Sequence, residues 1–168
     1  ALVFPLWRSV LAEMGIRCRS IVITRQPIEV ATSLVGRQTQ AEPGQTWTSE
    51  RAGLLWLRYV LAAERHSRGD VRAFCTYEEL LDNWQAVVLD LAKALEFEWP
   101  RSLAHARPEI EAFLSADHQH QRARQLPVAR GGIWSSWILP VFETLRRARG
   151  ADGPNPVVLY RVHQGFED

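Results

Sequence analysis

The sequence predicts an α/β fold, predominantly helical, in which helices flank a small parallel sheet. Two short runs rich in β-branched and apolar residues, 18–24 and 71–75, are typical of buried strands. Each is followed at once by a helical start, at Pro27 and after Thr76. A long helical segment, 49–67, lies between the two runs, and strands joined by a helical crossover are parallel.

Composition sets the class of protein. The chain has 168 residues, enough for one domain with one core. Its 20 basic and 19 acidic residues give a formal net charge of +1, so we expect no nucleic-acid partner and no membrane partner. Cys18 and Cys75 flank or end apolar runs, which favours free thiols in a cytoplasmic protein, although a disulfide between them stays open.

The first half of the chain alternates helix and strand. Apolar residues at helical spacing over 3–14 predict an amphipathic helix ended by Gly15. The strand 18–24 and a helix over 27–38 follow. Residues 39–45 are polar and contain proline and glycine, which predicts a loop.

The crossover helix is apolar almost all round, so we expect it to be largely buried. Thr48 or Ser49 could cap it, and 68–70 forms a turn before the second strand. A long helix then begins after residue 76.

The second half is predicted to be helical, with a short helix over 108–114 and a clear helix over 134–145. The polar segment 115–130 carries no firm prediction. We place the main domain at 1–150, followed at 151–168 by a loop and tail or a short edge strand. Two strands are few for a parallel sheet, so either the tail supplies a third or the first strands precede this chain.

Arg25 stands at the carboxyl end of the first strand, two residues before the helix start at Pro27. Ligands of open α/β sheets bind at this edge, and free N–H groups at a helix N-terminus favour an anion. A planar guanidinium can bind two oxygens of a phosphate. The alternative is an ion pair between Arg25 and Glu29 or Glu50.

Three segments in order resemble the bacterial branch of the sulfotransferase family. They are the Arg-x-Pro run 25–27 with Ser33, the crossover residues 54–59 with 64–66, and the join 77–81 after the second strand. The resemblance covers roughly residues 1–125. It implies a partial P-loop-type sheet whose first strands are missing, and sulfuryl transfer from 3′-phosphoadenosine-5′-phosphosulfate to a hydroxyl or amine acceptor. No metal is implied.

The resemblance also implies a cofactor-binding set. Arg25 and Ser33, eight residues apart, match the pair that binds the 3′-phosphate, and Tyr77 matches a tyrosine near the adenine. Gln26 departs from the usual Asn or Asp. Without the resemblance, we would interpret Ser33 as a helix residue whose hydroxyl bonds to the helix backbone. Tyr77 would be an aromatic residue packed in the core.

The family's Gly-rich loop and general base have no counterpart in the sequence. Gly131-Gly132 follows no strand and precedes no Lys with Ser or Thr, so it is no substitute. We therefore name no catalytic residue and leave the acceptor unidentified. We expect this chain to bind the cofactor weakly or not at all, and not to turn over. The alternatives are a non-catalytic interaction module that self-associates through an exposed sheet edge, and a fragment of another P-loop-type kinase.

The polar segment offers two further interpretations. His118 and His120, two residues apart, do not share a helix face, so we expect no metal site there. Arg122, Arg124 and Arg130 could close over a 3′-phosphate or belong to a solvated loop.

Overall fold

The computed structural model describes residues 1–41, 47–114 and 131–167. This part of the chain is mostly helical, with a small parallel sheet, as the sequence predicted. The strands and helices are β1 (Arg19–Thr24), β2 (Val71–Thr76), α1 (Phe4–Glu13), α2 (Pro27–Ala41), α3 (Ser49–His66), α4 (Tyr77–Ala94), α5 (Leu103–Phe113), α6 (Leu139–Arg147) and α7 (Pro156–Glu167). A π-helical turn, Trp134–Ile138, leads directly into α6.

The two strands pair in parallel from Arg19 opposite Val71 to Thr24 opposite Thr76. Their carboxyl ends therefore stop side by side. The outer edge of β2 is partly covered, since Phe74 exchanges two backbone hydrogen bonds with Gly150, of 2.9 and 3.1 Å. The outer edge of β1 has no strand partner among the described residues.

Helices cover both faces of the sheet. Val22 and Phe74 lie on one face and belong to the main core, together with buried residues of α2, α3, the π-turn, α6 and α7. Ala73 and Cys75 lie on the opposite face, beneath buried leucines of α4. The arrangement is thus helix, sheet, helix, the layering expected for parallel strands with helical crossovers.

Helix α3 and the π-turn approach each other closely at Gly53. A Cβ at this position would lie 2.6 Å from Ile138 Cδ1 and 3.0 Å from Trp134 Cζ2. Trp134 and Ile138 are both buried, so the contact lies within the core. A glycine is therefore required on this face of α3.

An ion cluster fixes the end of α3 against β2. The Glu64 side chain is 4% exposed, and its carboxylate accepts hydrogen bonds from Arg68 and Arg72. Arg72 also donates to the Glu64 carbonyl at 2.9 Å. The turn that follows contains Gly69 with φ +84°, as the predicted break at 68–70 requires.

The prediction for the tail was wrong. Residues 156–167 form a helix rather than a loop or a short edge strand. Asn155 accepts a hydrogen bond from the Val157 N–H at 2.9 Å, and Leu159 and Val162, three residues apart, are both buried. The run of β-branched residues suggested a strand, but helical spacing buries one face against the core. The tail therefore supplies no third strand.

Helix α5 begins five residues earlier than predicted, which leaves Pro108 inside it. We took Pro108 for a first-turn residue. Ser102 instead caps the helix and accepts from the His105 N–H at 3.4 Å. Two hydrogen bonds between Arg101 and Glu109, of 3.0 and 2.9 Å, also link its start to its middle.

The interpretations of His118 and His120, and of Arg122, Arg124 and Arg130, lie outside the described residues. Within the described residues, no group of three or more His, Cys, Asp or Glu side chains could hold a metal ion. No helix among them has both the length and the apolar character needed to cross a bilayer.

Candidate functional site

The candidate site is the carboxyl edge of the β1–β2 sheet. Because Thr24 pairs with Thr76, the next residues of the two strands, Arg25 and Tyr77, emerge at the same edge. The Arg25 guanidinium carbon lies 4.5 Å from the centroid of the Tyr77 ring. The structure thus brings together two of the three predicted site residues, in a cation–π contact.

Arg25 also forms an ion pair with Glu29. Its Nε and Nη2 both donate to Glu29 Oε2, at 3.1 and 3.0 Å. Both side chains are partly exposed, at 26% and 16%. The alternative of a pair with Glu29 is therefore what the structure shows, and a phosphate that binds Nε and Nη2 would replace the Glu29 carboxylate.

Ser33 lies on α2 one turn beyond Glu29. Glu29 and Ser33, four residues apart, share one face of α2, whereas Arg25 precedes the helix by two residues. Arg25 is bonded to the Glu29 carboxylate and shares no hydrogen bond with Ser33. The backbone hydrogen bond considered for Ser33 is formed by its neighbour, since Thr32 Oγ1 donates to the Ile28 carbonyl at 2.8 Å.

A second carboxylate occupies the start of α2. Glu78 Oε1, from the first turn of α4, accepts a hydrogen bond from the Gln26 N–H at 3.0 Å. Gln26 Oε1 in turn accepts from the Ile28 N–H at 3.4 Å. Gln26 therefore caps the helix, though at a long distance, and Glu78 fills the place that the sequence predicted for a bound anion. This contact was not predicted from the sequence, because Glu78 reaches the start of α2 only when the two strands pair.

Glu79 has a structural role. Its Oε2 accepts from the Thr76 N–H at 3.0 Å while Thr76 Oγ1 accepts from the Glu79 N–H at 3.2 Å, which completes a capping box. Its other oxygen pairs with Arg149. Glu79 therefore stabilises the start of α4.

Cys75 ends β2 one residue before this cap, but it is not a nucleophile. Burial, together with the negative charge of Glu79, raises the pKa of the Cys75 thiol to about 11. The thiol therefore stays protonated at neutral pH.

An apolar cavity adjoins Arg25. It has a volume of about 410 Å³ and is lined by Ile23, Arg25, Val30, Leu34, Leu55, Trp56, Tyr59 and Val60. Trp56 Nε1 donates to the Arg25 carbonyl at 3.2 Å, which holds the backbone of the arginine at the mouth of the cavity. One cation beside a largely apolar wall suits a ligand with a flat ring and an acid group.

The comparisons with known proteins give one result. No family model, curated protein or solved structure matches the chain. The sulfotransferase resemblance therefore depends on the residues quoted for it, and the arrangement at the sheet edge must be judged on its own chemistry.

That chemistry is balanced toward negative charge. Among the described residues at this edge, the carboxylates of Glu29, Glu78 and Glu79 outnumber the arginines paired with them, Arg25 and Arg149. Glu78 and Glu79 accept backbone N–H groups, whereas the Glu29 carboxylate bonds to Arg25. Glu29 is thus the carboxylate whose displacement would leave the backbone unaffected.

Proposed function

We propose that the carboxyl edge of the β1–β2 sheet binds the 3′-phosphoadenosine part of 3′-phosphoadenosine-5′-phosphosulfate, in a partial P-loop-type, sulfotransferase-like domain. The observation that carries the proposal is the Arg25 guanidinium held over the Tyr77 ring, at the carboxyl end of two parallel strands. This edge is the general ligand site of open α/β sheets.

In the bound state, the 3′-phosphate replaces the Glu29 carboxylate on Arg25. The guanidinium binds two phosphate oxygens, and the Ser33 hydroxyl, one turn further along α2, donates to a third. The ion pair that must open is mostly buried, so its loss costs more than the about 0.3–0.5 kcal/mol of an exposed i,i+4 pair. The phosphate dianion offsets this cost because it forms two charge-assisted hydrogen bonds with the same guanidinium.

The adenine has two apolar surfaces within reach of this phosphate position. The Tyr77 ring is half-buried and its hydroxyl makes no hydrogen bond with the part of the chain that the structure describes. The second apolar surface is the wall of the cavity beside Trp56. Stacking or burial against either ring stabilises a base without fixing its identity.

These residues support binding of the sulfuryl donor. Binding is the first step of sulfuryl transfer to a hydroxyl or amine acceptor. That transfer also needs a base for the acceptor and a positive charge at the bridging oxygen. We assign neither role, because the carboxylates at this edge are each engaged by an arginine or by backbone N–H groups. We expect no turnover by this chain.

Calorimetric titration of the full chain with adenosine 3′,5′-bisphosphate tests the proposal. We expect saturable binding that weakens at least tenfold in Arg25→Ala, because charge-assisted hydrogen bonds to the phosphate are lost. Arg107→Ala is the matched control, since Arg107 forms the same i,i+4 ion pair with Glu111, at 2.7 Å, on α5. Equal binding by the wild-type chain and Arg25→Ala would refute the site, and tighter binding of ATP would favour the kinase alternative.

A second candidate function, a non-catalytic interaction module, is favoured by one observation. Ile21 and Ile23 are 39% and 52% exposed on the same face where Ala73 and Cys75 of β2 are buried beneath α4. The outer edge of β1 also has no strand partner among the residues described. An uncovered apolar strand with open backbone groups pairs readily with a second copy.

A further inference from the structure

The candidate nucleotide site has two surfaces that suit a ring, and one of them is already used by the protein. The Arg25 guanidinium carbon lies 4.5 Å from the centroid of the Tyr77 ring. A cation at this distance lies over the face of the ring, so that face is closed to a base. Tyr77 therefore supports the position of Arg25.

The cavity beside Trp56 is the second surface. Its walls come from β1, α2 and α3, and its lining residues are Ile23, Arg25, Val30, Leu34, Leu55, Trp56, Tyr59 and Val60. Its volume of about 410 Å³ lies within the range of about 300–1,000 Å³ that is usual for ligand pockets. Val30 directly follows Glu29 on α2, so this wall begins next to the residue whose carboxylate the 3′-phosphate replaces.

The aromatic part of this wall is held in place before a ligand arrives. Trp56 is 6% exposed, and its Nε1 donates to the Arg25 carbonyl at 3.2 Å. Its ring also meets the Phe142 ring edge to face, with centroids 6.3 Å apart. Tyr59, three residues further along α3, is 46% exposed and lies at the mouth of the cavity. The two aromatic side chains offer apolar surface to a flat ring.

The chemistry of the cavity favours a ring of any base over one particular base. Apart from Arg25, the described lining side chains are aliphatic or aromatic, and the indole N–H of Trp56 is already bonded. Adenine and guanine differ in the amino and carbonyl groups at their edges, so a protein distinguishes them with donors and acceptors placed there. Stacking and burial act on the face of the ring, which all bases share.

We infer that the sheet edge binds purine nucleoside 3′-phosphates as a class, with the base in the cavity beside Trp56. This inference rests on the function proposed above and extends its ligand from adenosine to guanosine compounds. The 3′-phosphate on Arg25 supplies the selectivity, and the cavity supplies affinity for a flat ring. Tyr77 acts through Arg25 and does not contact the base.

Calorimetric titration of the full chain with three ligands tests this inference. They are adenosine 3′,5′-bisphosphate, guanosine 3′,5′-bisphosphate and the abasic compound 1-deoxyribose 3,5-bisphosphate. We expect the two purine compounds to bind within about threefold of each other and the abasic compound to bind at least about tenfold more weakly, because it has no ring to stack. A tenfold preference for either purine, or equal binding of the abasic compound, would overturn the inference and leave the phosphate site in place. Failure of all three to bind would overturn the proposed function as well.

Tyr59→Ala tests the position of the base. Because Tyr59 is 46% exposed, its truncation should leave the fold intact. We expect both purine compounds to bind about three- to tenfold more weakly, since part of the aromatic wall is lost, and the abasic compound to be unaffected. Tyr160→Ala, at a 65% exposed tyrosine of α7 outside the cavity lining, is the matched control and should bind as the wild-type chain does. Wild-type affinity of Tyr59→Ala for both purine compounds would overturn the inference.

Discussion

At the scale of single residues, Glu29 is the group expected to set how strongly the proposed site binds phosphate. Its carboxylate pairs with Arg25, and it lies midway between Arg25 and Ser33 in the sequence. The family resemblance assigns roles to Arg25 and Ser33 but none to Glu29. In the proposed site, the Glu29 carboxylate competes with the phosphate.

Glu29→Gln should therefore strengthen binding of adenosine 3′,5′-bisphosphate about five- to tenfold. The substitution removes both the competing ion pair and a negative charge next to the phosphate. Calorimetry on the full chain measures the change, with Glu111→Gln on α5 as the matched control. A weaker complex for Glu29→Gln would mean that Glu29 contacts the ligand, which the proposed exchange forbids.

Cys75 makes stability depend on pH in the alkaline range. The folded-state pKa is raised from 9.0 to about 11 by burial and by Glu79, so above pH 9 the unfolded chain loses a proton that the folded chain keeps. The contribution of this thiol to stability is present below pH 9 and is lost as the pH rises to 11. Two pKa units correspond to about 2–3 kcal/mol.

Denaturant unfolding at pH 8 and pH 11 measures this effect. The loss in unfolding free energy between the two pH values should be about 2–3 kcal/mol larger for the wild-type chain than for Cys75→Ala. Cys18→Ala, at the partly exposed second cysteine, should keep the wild-type dependence. The same loss in Cys75→Ala would assign the pH dependence to other groups.

At the scale of elements, the sequence predicted most boundaries for local reasons. Pro27 begins α2, Thr48 caps α3 by accepting from the Arg51 N–H at 3.1 Å, and Gly15 with φ +68° follows α1. These signals act within one turn, so they can be read without tertiary structure. The sequence also predicted that the two strands are parallel, and this pairing brings Tyr77 to Arg25.

Two features were not predicted, helix α7 and the contact of Glu78 with α2, and both have a different origin. Helix α7 was missed because its valines favour a strand, whereas the structure buries Leu159 and Val162 on one helical face against the core. The approach of Glu78 to the start of α2 was missed because 52 residues separate the donor and the acceptor. Both depend on packing at long sequence distance, which periodicity does not report.

The packing of α3 on the π-turn gives an element-scale prediction. Gly53→Ala should lower the free energy of unfolding by about 1–3 kcal/mol, because the new methyl group would overlap Ile138 and Trp134. Thermal or denaturant unfolding measures the loss.

Gly36→Ala is the control for this prediction, since no described side chain or neighbouring element lies within 4 Å of a Cβ at this position on α2. It should stabilise by about 0.5–1 kcal/mol through helix propensity alone. If Gly53→Ala were as stable as Gly36→Ala, the close approach of α3 and the π-turn would be wrong.

At the scale of the whole molecule, about half of the exposed large apolar side chains among the described residues lie on β1 or on α1 and the residues beside it. They are Val3, Leu6, Trp7, Val10, Met14, Ile16, Ile21 and Ile23. Large apolar patches on soluble domains are typical of interaction sites. The proposed second copy would cover the strand part of this surface.

Ile23→Lys should therefore reduce self-association. A charge on the open strand opposes edge pairing, and light scattering after size exclusion at several concentrations would show a smaller mass than for the wild-type chain. Val157→Lys, at a 62% exposed position on α7, is the control. A wild-type chain that stays monomeric at every concentration would eliminate this second candidate function.

The hydrogen bonds between Phe74 and Gly150 limit the number of copies that can join through the sheet edges. They occupy the outer backbone groups of Phe74 on the far side of β2, while β1 has no strand partner within the part of the chain that the structure describes. A sheet that can grow in one direction only is terminated by the first copy that joins it. The expected product is a closed two-fold dimer and not a fibril. A concentrated solution of this protein should therefore contain dimers and stay clear.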